Sequence, residues 1–329
     1  MVLVRYEKRP LALSVLMALV VAVFPIRLAL AIYPERTIRV VVPFAPGGGT
    51  DVVARTLADA MAKDLRVSVI IENKPGAGTI IGTQAVATSA PDGYTLLMGT
   101  FSHAVNPSLN SKLPYDPHKD FVPVALIARS FNVVVVNPKS PIKSIADLIA
   151  AAKANPGKLS YGTFGIGTSA HLAGELFKDM AKVDLTTVSY KGAAPAITDL
   201  ISGQIEVMFT TVASAAALIE SGQLRAIAVT SAERSPAFPQ LPTVAEAGVP
   251  GYAAESWYGL FAPARTPAAI IDRLNKSAAS AVQSVAFKRL GVNEGLVMIA
   301  RPPEELDRYV RGEEERWRRV IQDAGIKVD

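Results

Sequence analysis

The sequence predicts an α/β protein of two lobes that are joined by a two-strand hinge. Short apolar strands alternate with helices of roughly 10 to 15 residues, which is typical of parallel α/β sheets. Two stretches, 121–141 and 251–263, are longer and more apolar than ordinary strands and fit a pair of crossings between lobes. Glycine-rich turns follow several strands, and a cleft between lobes is where ligands bind by preference.

The elements follow in order along the chain. A buried type of strand precedes each glycine turn, and helices lie between most strands. The strands are predicted at Thr37–Pro43, Val67–Glu72, Thr95–Gly99, Val124–Ala128, Val133–Asn137, Leu159–Thr163, Thr186–Tyr190, Ile205–Thr210 and Leu224–Thr230. A last helix starts at Pro302 and Pro303, with its acidic run, 313–315, on a solvated face. The first lobe is predicted to hold residues 32–128 plus 257–329, and the second lobe 129–256.

Composition excludes several classes of function. The 329 residues are 50% hydrophobic and 19% charged, so the chain can bury one large or two medium cores. It has no cysteine, which excludes disulfides, thiolate nucleophiles and Cys-ligated metals. Its three histidines are widely spaced and form no paired metal-ligand pattern. The sequence therefore indicates no metal and no cofactor.

The N-terminus reads as a secretory signal peptide covering residues 1–31. Basic residues precede an apolar run at 11–24, and Ala29 and Ala31 are the small residues that a signal peptidase reads, so cleavage is predicted after Ala31. A single membrane anchor is the alternative, but the run is short of the roughly 20 residues that a span needs. Removing residues 1–31 lowers the formal charge from +5 to +2, which gives little support to nucleic-acid binding.

The stretch from Arg39 to Asp51, RVVVPFAPGGGTD, is the most informative in the chain. A strand runs directly into a glycine loop that opens a helix, where free backbone N–H groups and the positive end of the helix dipole favour an anion. Similar loops follow three further strands, at 73–79, 99–102 and 162–169. One such loop is usually only a tight connection, but four at the carboxyl ends of parallel strands favour a shared anion pocket.

Two nucleotide-binding patterns fail on inspection. Gly165 to Ala170 matches G-x-G-x-x-A, yet the next strand ends in Ser-Tyr-Lys rather than in the acidic residue that holds a ribose. Gly76 and Gly82 have P-loop spacing, but Thr83 replaces the lysine. No G-x-S-x-G elbow is present, while paired carboxylates for glycoside chemistry stay open. An exported α/β enzyme acting on a small anionic metabolite is therefore kept as the alternative function.

The ordered motifs resemble one family over essentially the whole chain after residue 31. They are PFAPGGGTD at 43–51, ENKPGAG at 72–78, APDGYTLLMG at 90–99, LPYDP followed by DFVPVALIA at 113–128, YGTFGIGTSAHLAGELF at 161–177, YKGAAPAITDLISGQI at 190–205 and LPTVAEAGVPGY at 241–252. Together they resemble the Bug family, the substrate-binding proteins of tripartite tricarboxylate transporters.

The resemblance implies a type II periplasmic binding protein, with two lobes that close on a small mono-, di- or tricarboxylate and with no catalytic activity. It implies a monomer, with the transporter's membrane subunits or a sensor kinase as possible partners and no nucleic acid. The residues that match the family's ligand contacts are Phe44, Gly47, Gly48, Thr50, Asp51, Thr100, Ser102, Phe164, Gly165, Gly167, Thr168, Ser169, Tyr190 and Thr210.

Three segments depart from the family pattern. Ser189 replaces a proline before Tyr190, and the second loop reads GAGTIIG where GAGGNIG is commoner. Thr210 stands where many members carry an aspartate that could pair with a cationic ligand head. The last departure favours plain carboxylates over amino acids as ligands.

Overall fold

The computed structural model describes residue 2 and residues 33–235, 237–323 and 325–326. The predicted signal peptide and its cleavage site after Ala31 lie outside the described residues, apart from residue 2. The chain divides into residues 1–35 and residues 36–329, and the fold given below is that of the second unit. No helix in the described ranges combines the length and the apolar character that crossing a membrane requires.

Strands and helices alternate along most of this unit. The strands are β1 (Ile38–Val42), β2 (Val69–Asn73), β3 (Thr95–Thr100), β4 (Phe121–Val136), β5 (Ser160–Thr163), β6 (Thr186–Ser189), β7 (Val207–Thr211), β8 (Arg225–Val229), β9 (Glu255–Pro263) and β10 (Val297–Arg301). The helices are α1 (Gly49–Leu65), α2 (Ile80–Ala87), α3 (Phe101–Leu109), α4 (Ile145–Ala154), α5 (Ser169–Ala181), α6 (Ala193–Ser202), α7 (Val212–Glu220), α8 (Ala268–Val282), α9 (Val285–Glu294) and α10 (Pro303–Asp323).

The sheet has two parallel parts that share antiparallel strands between them. In the first part, β1 pairs in parallel with both β2 and β3. In the second part, β5 pairs in parallel with both β6 and β7. The strand order is β2-β1-β3-β9-β4-β7-β5-β6, with β8 and β10 also paired to β4. The fold is thus α/β with two lobes, as the sequence predicts.

β4 is the strand that passes from one lobe to the other. The sequence predicts two strands here, Val124–Ala128 and Val133–Asn137, but the structure has one strand of 16 residues. Its first part pairs with β9 from Phe121 to Phe131, and its last part pairs with β7 from Asn132 onward. β4 and β9 therefore form the two-strand hinge. The residue limits of the lobes given above stay a prediction.

Each lobe packs its own core against the sheet. In the first lobe, α1 is amphipathic and turns Val53, Leu57 and Met61, spaced four residues apart, toward the strands. A second cluster includes the fully buried Trp257 of β9 and Leu306 of α10. In the second lobe, the aromatic rings of Tyr161, Phe177, Phe209 and Tyr252 contact one another.

One part of the C-terminal helix differs from the sequence-based expectation. Glu313 is predicted on the solvated face of α10, but its side chain is buried. Its carboxylate accepts a hydrogen bond from Trp317 Nε1 at 3.2 Å and contacts Arg316 at 3.4 Å. Burial raises the pKa of Glu313, and the Arg316 guanidinium and the indole N–H of Trp317 partly offset the cost of burying the carboxylate.

Candidate functional site

The loop after β1 is held in shape by one buried carboxylate. Gly47 has φ +83°, a conformation that favours glycine, and Gly48 is the N-cap of α1. Asp51 accepts hydrogen bonds from Gly47 N at 3.0 Å, Arg55 Nε at 2.9 Å and Asn73 Nδ2 at 2.8 Å. Burial opposes ionisation of Asp51, but these hydrogen bonds outweigh it and hold its pKa below the usual value. Asp51 thus ties the loop to α1 and to β2.

The loop after β5 is closed by hydroxyl and imidazole groups. Thr168 is the N-cap of α5, and its hydroxyl donates to Gly165 O at 2.6 Å and accepts from His171 N at 3.4 Å. Gly167 N donates to His171 Nδ1 at 3.3 Å. That bond needs a neutral imidazole, which is consistent with burial lowering the pKa of His171.

Two hydrogen bonds donated by main-chain N–H groups join the lobes across the cleft. Ala45 N, in the loop after β1, donates to Lys191 O, after β6, at 3.2 Å. Gly49 N, at the start of α1, donates to Ser214 Oγ, at the start of α7, at 2.7 Å. The first turns of helices from both lobes therefore face each other at short range.

The rings of Phe44 and Phe164 meet edge to face across the cleft, with centroids 5.9 Å apart, and border two cavities. The main cavity has a volume of about 360 Å³. It is lined by Pro43, Phe44, Gly76, Ala77, Gly78, Thr79, Ile80, Asn106, Leu109, Asn110, Phe164, Gly165, Ile166, Gly167, Ser189, Tyr190 and Lys191. The narrow cavity has a volume of about 10 Å³. It is lined by Phe44, Gly48, Gly49, Thr50, Phe164, Ala193, Thr211 and Ser214.

Half of the residues proposed from the sequence line these cavities. Phe44, Phe164, Gly165, Gly167 and Tyr190 line the main cavity, and Gly48 and Thr50 join the two rings around the narrow one. The other proposed residues line neither cavity: they are Gly47, Asp51, Thr100, Ser102, Thr168, Ser169 and Thr210. Their side chains, where they have one, are buried within the lobes.

Some of these buried groups lie beneath the cavity lining and connect it to the rest of the fold. Ser169 Oγ contacts Asn132 Oδ1 at 3.3 Å, which links the start of α5 to the hinge strand. Thr100 is the N-cap residue of α3. Within the described residues, Ser102 Oγ and Thr210 Oγ1 are buried without a hydrogen-bond partner.

Tyr190 lines the main cavity, and its hydroxyl has a partner in α6. The hydroxyl donates to Asp199 Oδ2 at 2.7 Å. Burial and this aspartate raise the pKa of Tyr190 to about 12. The hydroxyl proton of Tyr190 is therefore already engaged within the second lobe.

The loop after β2 and one face of α3 contribute lining residues to which the sequence reasoning assigned no ligand contact. The glycine spacing at 76–78 marked the loop as one of the four, but no contact residue was assigned to it. Asn106, Leu109 and Asn110 lie in or next to a helix, where sequence gives no sign of which side faces a ligand. Lys191 follows β6, and it is the charged residue among the described residues that line the main cavity.

The lining defines what the cleft can do chemically. Phenylalanine rings and aliphatic side chains supply apolar surface, while glycine backbones, amides and one ammonium group supply polar contacts. Among the described residues, no group of three or more His, Asp or Glu side chains is placed to hold a metal ion.

Comparison with known proteins assigns the family. The model of the tripartite tricarboxylate transporter family receptor, TctC, matches residues 53–326. BugT of Bordetella pertussis is 38% identical over 298 residues, which cover 90% of this chain and 91% of BugT. An R. palustris protein solved with adipate is 38% identical with a TM-score of 0.87, covering 90% of this chain and 99% of that one.

A third relative agrees with these. MatC from Rhodopseudomonas palustris, solved with bound malate, is 34% identical with a TM-score of 0.85, covering 88% of this chain and 100% of that one. With matches of this extent, the chain belongs to the tripartite tricarboxylate transporter family receptors, which are periplasmic solute-binding proteins of the Bug type.

Proposed function

We propose that this chain is a periplasmic solute-binding protein that captures a small mono-, di- or tricarboxylate between its lobes and releases it unchanged. The observation that carries the proposal is the convergence of loops from two parallel sheet parts on one cleft. Open α/β sheets bind ligands at the carboxyl ends of their strands. Here two such edges face each other, so that a ligand can contact both.

Helix termini supply the attraction for an anion. The narrow cavity is bordered by the N-terminal residues of α1, α6 and α7, among them Gly49, Ala193 and Thr211. Each helix N-terminus carries a partial positive charge and main-chain donors, so three together favour a carboxylate. Gly49 N now donates to Ser214 Oγ, and it is the donor that a ligand carboxylate would take once the lobes part slightly. All fourteen residues named from the sequence are proposed to contact the ligand or to hold these loops.

Relatives support the class of ligand. One structural neighbour holds adipate and another holds malate, and both superpose over about nine-tenths of this chain. Membership of a receptor family supports binding without turnover. We expect delivery to the membrane subunits of a tripartite tricarboxylate transporter or to a sensor kinase, and export through the signal peptide predicted at 1–31.

Isothermal titration calorimetry against a panel of organic acids tests the proposal. The protein is purified from the periplasm and titrated with mono-, di- and tricarboxylates and with the amide of any acid that binds. We expect heat from at least one acid, loss of binding for its amide, and recovery of the acid unchanged after release. Heat from no acid, or conversion of one, would favour an exported enzyme instead.

A pair of variants places the binding in the cleft. Phe44→Ala removes a ring that borders both cavities, so binding should weaken by more than tenfold. Phe238→Ala removes a ring of similar burial outside both cavities and serves as the control. Equal affinities of the two variants would mean that the ligand binds elsewhere.

A further inference from the structure

The loop after β2 has an unusual backbone at the edge of the main cavity. Four consecutive residues, Gly76 to Thr79, have positive φ angles of +133°, +46°, +58° and +81°. Two of them, Ala77 and Thr79, are not glycine. A β-branched residue such as Thr79 rarely adopts this conformation, and strain of this kind gathers at ligand-binding loops.

The side chain of Thr79 makes a hydrogen bond that explains why a threonine occupies this strained position. Thr79 is buried, and its Oγ1 accepts a hydrogen bond from Asn106 Nδ2 at 3.2 Å. Asn106 lies on α3 and lines the main cavity. The hydroxyl thus links the strained loop to α3, whose residues Asn106 and Leu109 line the cavity.

The same contacts fix the orientation of the Asn106 amide. Its Nδ2 also lies 3.2 Å from Gly78 O and 3.4 Å from Tyr115 Oη. A carbonyl oxygen such as Gly78 O can only accept, so the atom next to it must be the amide nitrogen. Both hydrogens of Nδ2 are therefore taken up within the first lobe.

The amide oxygen is left for the cleft. Asn106 Oδ1 points toward the loop of the opposite lobe, where a Cβ placed on Gly167 would lie only 2.8 Å from it. Leu109, Ile80 and Ile166 line the same cavity, together with the amide of Asn110. The cavity therefore presents a fixed hydrogen-bond acceptor beside a lining that is largely apolar.

A fixed acceptor selects for a donor on the ligand. An ionised carboxylate has only acceptor oxygens, and burying it here would leave it unpaired next to another oxygen. A neutral hydroxyl can donate to Asn106 Oδ1 without bringing a charge into apolar surroundings. An ammonium group would lack a carboxylate to pair with, since Lys191 is the charged side chain of the described lining.

Building on the proposed function, we propose that the ligand is a carboxylate that bears a hydroxyl group, which donates to Asn106 Oδ1 while the carboxylate binds elsewhere in the cleft. Thr79 is then a positioning residue that fixes the Asn106 amide. A site built to bind a hydroxyl discriminates strongly against the analogue that lacks it, because the buried partner is left unpaired.

Calorimetry with matched pairs of acids tests this ligand class. The pairs are succinate and malate, glutarate and 2-hydroxyglutarate, butyrate and 3-hydroxybutyrate, and benzoate and 4-hydroxybenzoate. In at least one pair the hydroxylated member should bind about tenfold tighter or more. Equal or weaker binding of the hydroxylated member in every pair that gives heat overturns this inference alone. Heat from neither member of any pair overturns this inference, and heat from no mono-, di- or tricarboxylate at all overturns the proposed function as well.

Variants at both positions test how the discrimination arises. Asn106→Leu should bring the preference for the hydroxylated acid below about twofold, whatever its effect on the affinity for the plain acid. Thr79→Ser keeps the hydroxyl and should keep the preference, whereas Thr79→Gly frees the amide and should lower the preference several-fold. Ala77→Gly relieves strain in the same loop without touching Asn106, and it should retain the full preference.

Melting temperatures establish that each variant is folded before its affinity is compared. Because the readout is a ratio of two affinities, a general loosening of the loop weakens both acids and leaves the ratio unchanged. A full preference in Thr79→Gly would remove the positioning role of Thr79. A full preference in Asn106→Leu would remove Asn106 Oδ1 as the acceptor.

Discussion

Gly167 offers a direct test of closure across the cleft. A Cβ at this position would lie 2.8 Å from Asn106 Oδ1 and 3.2 Å from Leu109 Cδ1, both on the opposite lobe. The Asn106 amide is held by its hydrogen bonds and cannot move away easily. Gly167→Ala should therefore oppose closure while the open form is free of this clash.

The size of the effect follows from two separate terms. Gly167 has φ +75°, and an alanine there adds roughly 1 to 2 kcal/mol of backbone strain in the open and the closed form alike. That term lowers stability but cancels in the dissociation constant. Overpacking against the opposite lobe adds about 1 to 3 kcal/mol to the closed form alone. This corresponds to a rise in Kd of about 5- to 150-fold.

A matched control separates the two terms. Gly222 has φ +72°, and a Cβ there would meet nothing within 4 Å. Gly222→Ala carries the same backbone strain, so both variants should lose similar melting temperature, while only Gly167→Ala should lose affinity by calorimetry. Equal changes in Kd for the two variants would refute the reasoning that Gly167 is required for closure.

Three further predictions follow from single side chains. Asp51→Ala removes the acceptor of Gly47 N and Arg55 Nε, so the free energy of unfolding by urea should fall by about 1 to 3 kcal/mol. An unchanged unfolding midpoint with lost affinity would place Asp51 on the ligand instead. Tyr190→Phe should lower stability by about 0.5 to 1.5 kcal/mol, since the hydroxyl bonds an aspartate, yet leave Kd within about twofold by calorimetry. Burial between two phenylalanine rings lowers the pKa of His103 from 6.5 to about 3. As the pH falls, His103 is therefore protonated in the unfolded state at a higher pH than in the folded state. The free energy of unfolding should fall as the pH drops from about 6.5 toward 3. His103→Leu should reduce that slope by up to about 1.4 kcal/mol per pH unit in urea titrations between about pH 4.5 and 6, and an unchanged slope would contradict it.

Local patterns were sufficient for most of the fold. The valine run of β1 followed by glycines fixes a strand, a turn and a helix start, because each is decided by nearby residues. The length of the stretch 121–141 indicated a crossing, although it was divided into two strands. β10 was not predicted, because Val297–Arg301 is partly exposed and obtains its pairing from the distant β4.

The site could be predicted only in outline. Glycine spacing located the loops, but it could not tell that Asp51 and Thr168 turn inward to hold them. Asn106 has no local signal, because its role depends on a helix face that only tertiary packing orients. Glu313 was misplaced for a similar reason, since its partner Trp317 draws it into the interior.

The strand β4, which the two lobes share, limits how the cleft between them can open. Because β4 is hydrogen-bonded to neighbouring strands along both its halves, the hinge is stiffer than a flexible linker would be. When the lobes open, β4 and β9 must change their twist. This change is distributed as small backbone rotations over many residues of the two strands. The two lobes of the ligand-free protein then keep nearly the same relative orientation as in the complex. Ligand binding therefore costs little rotational freedom of one lobe relative to the other.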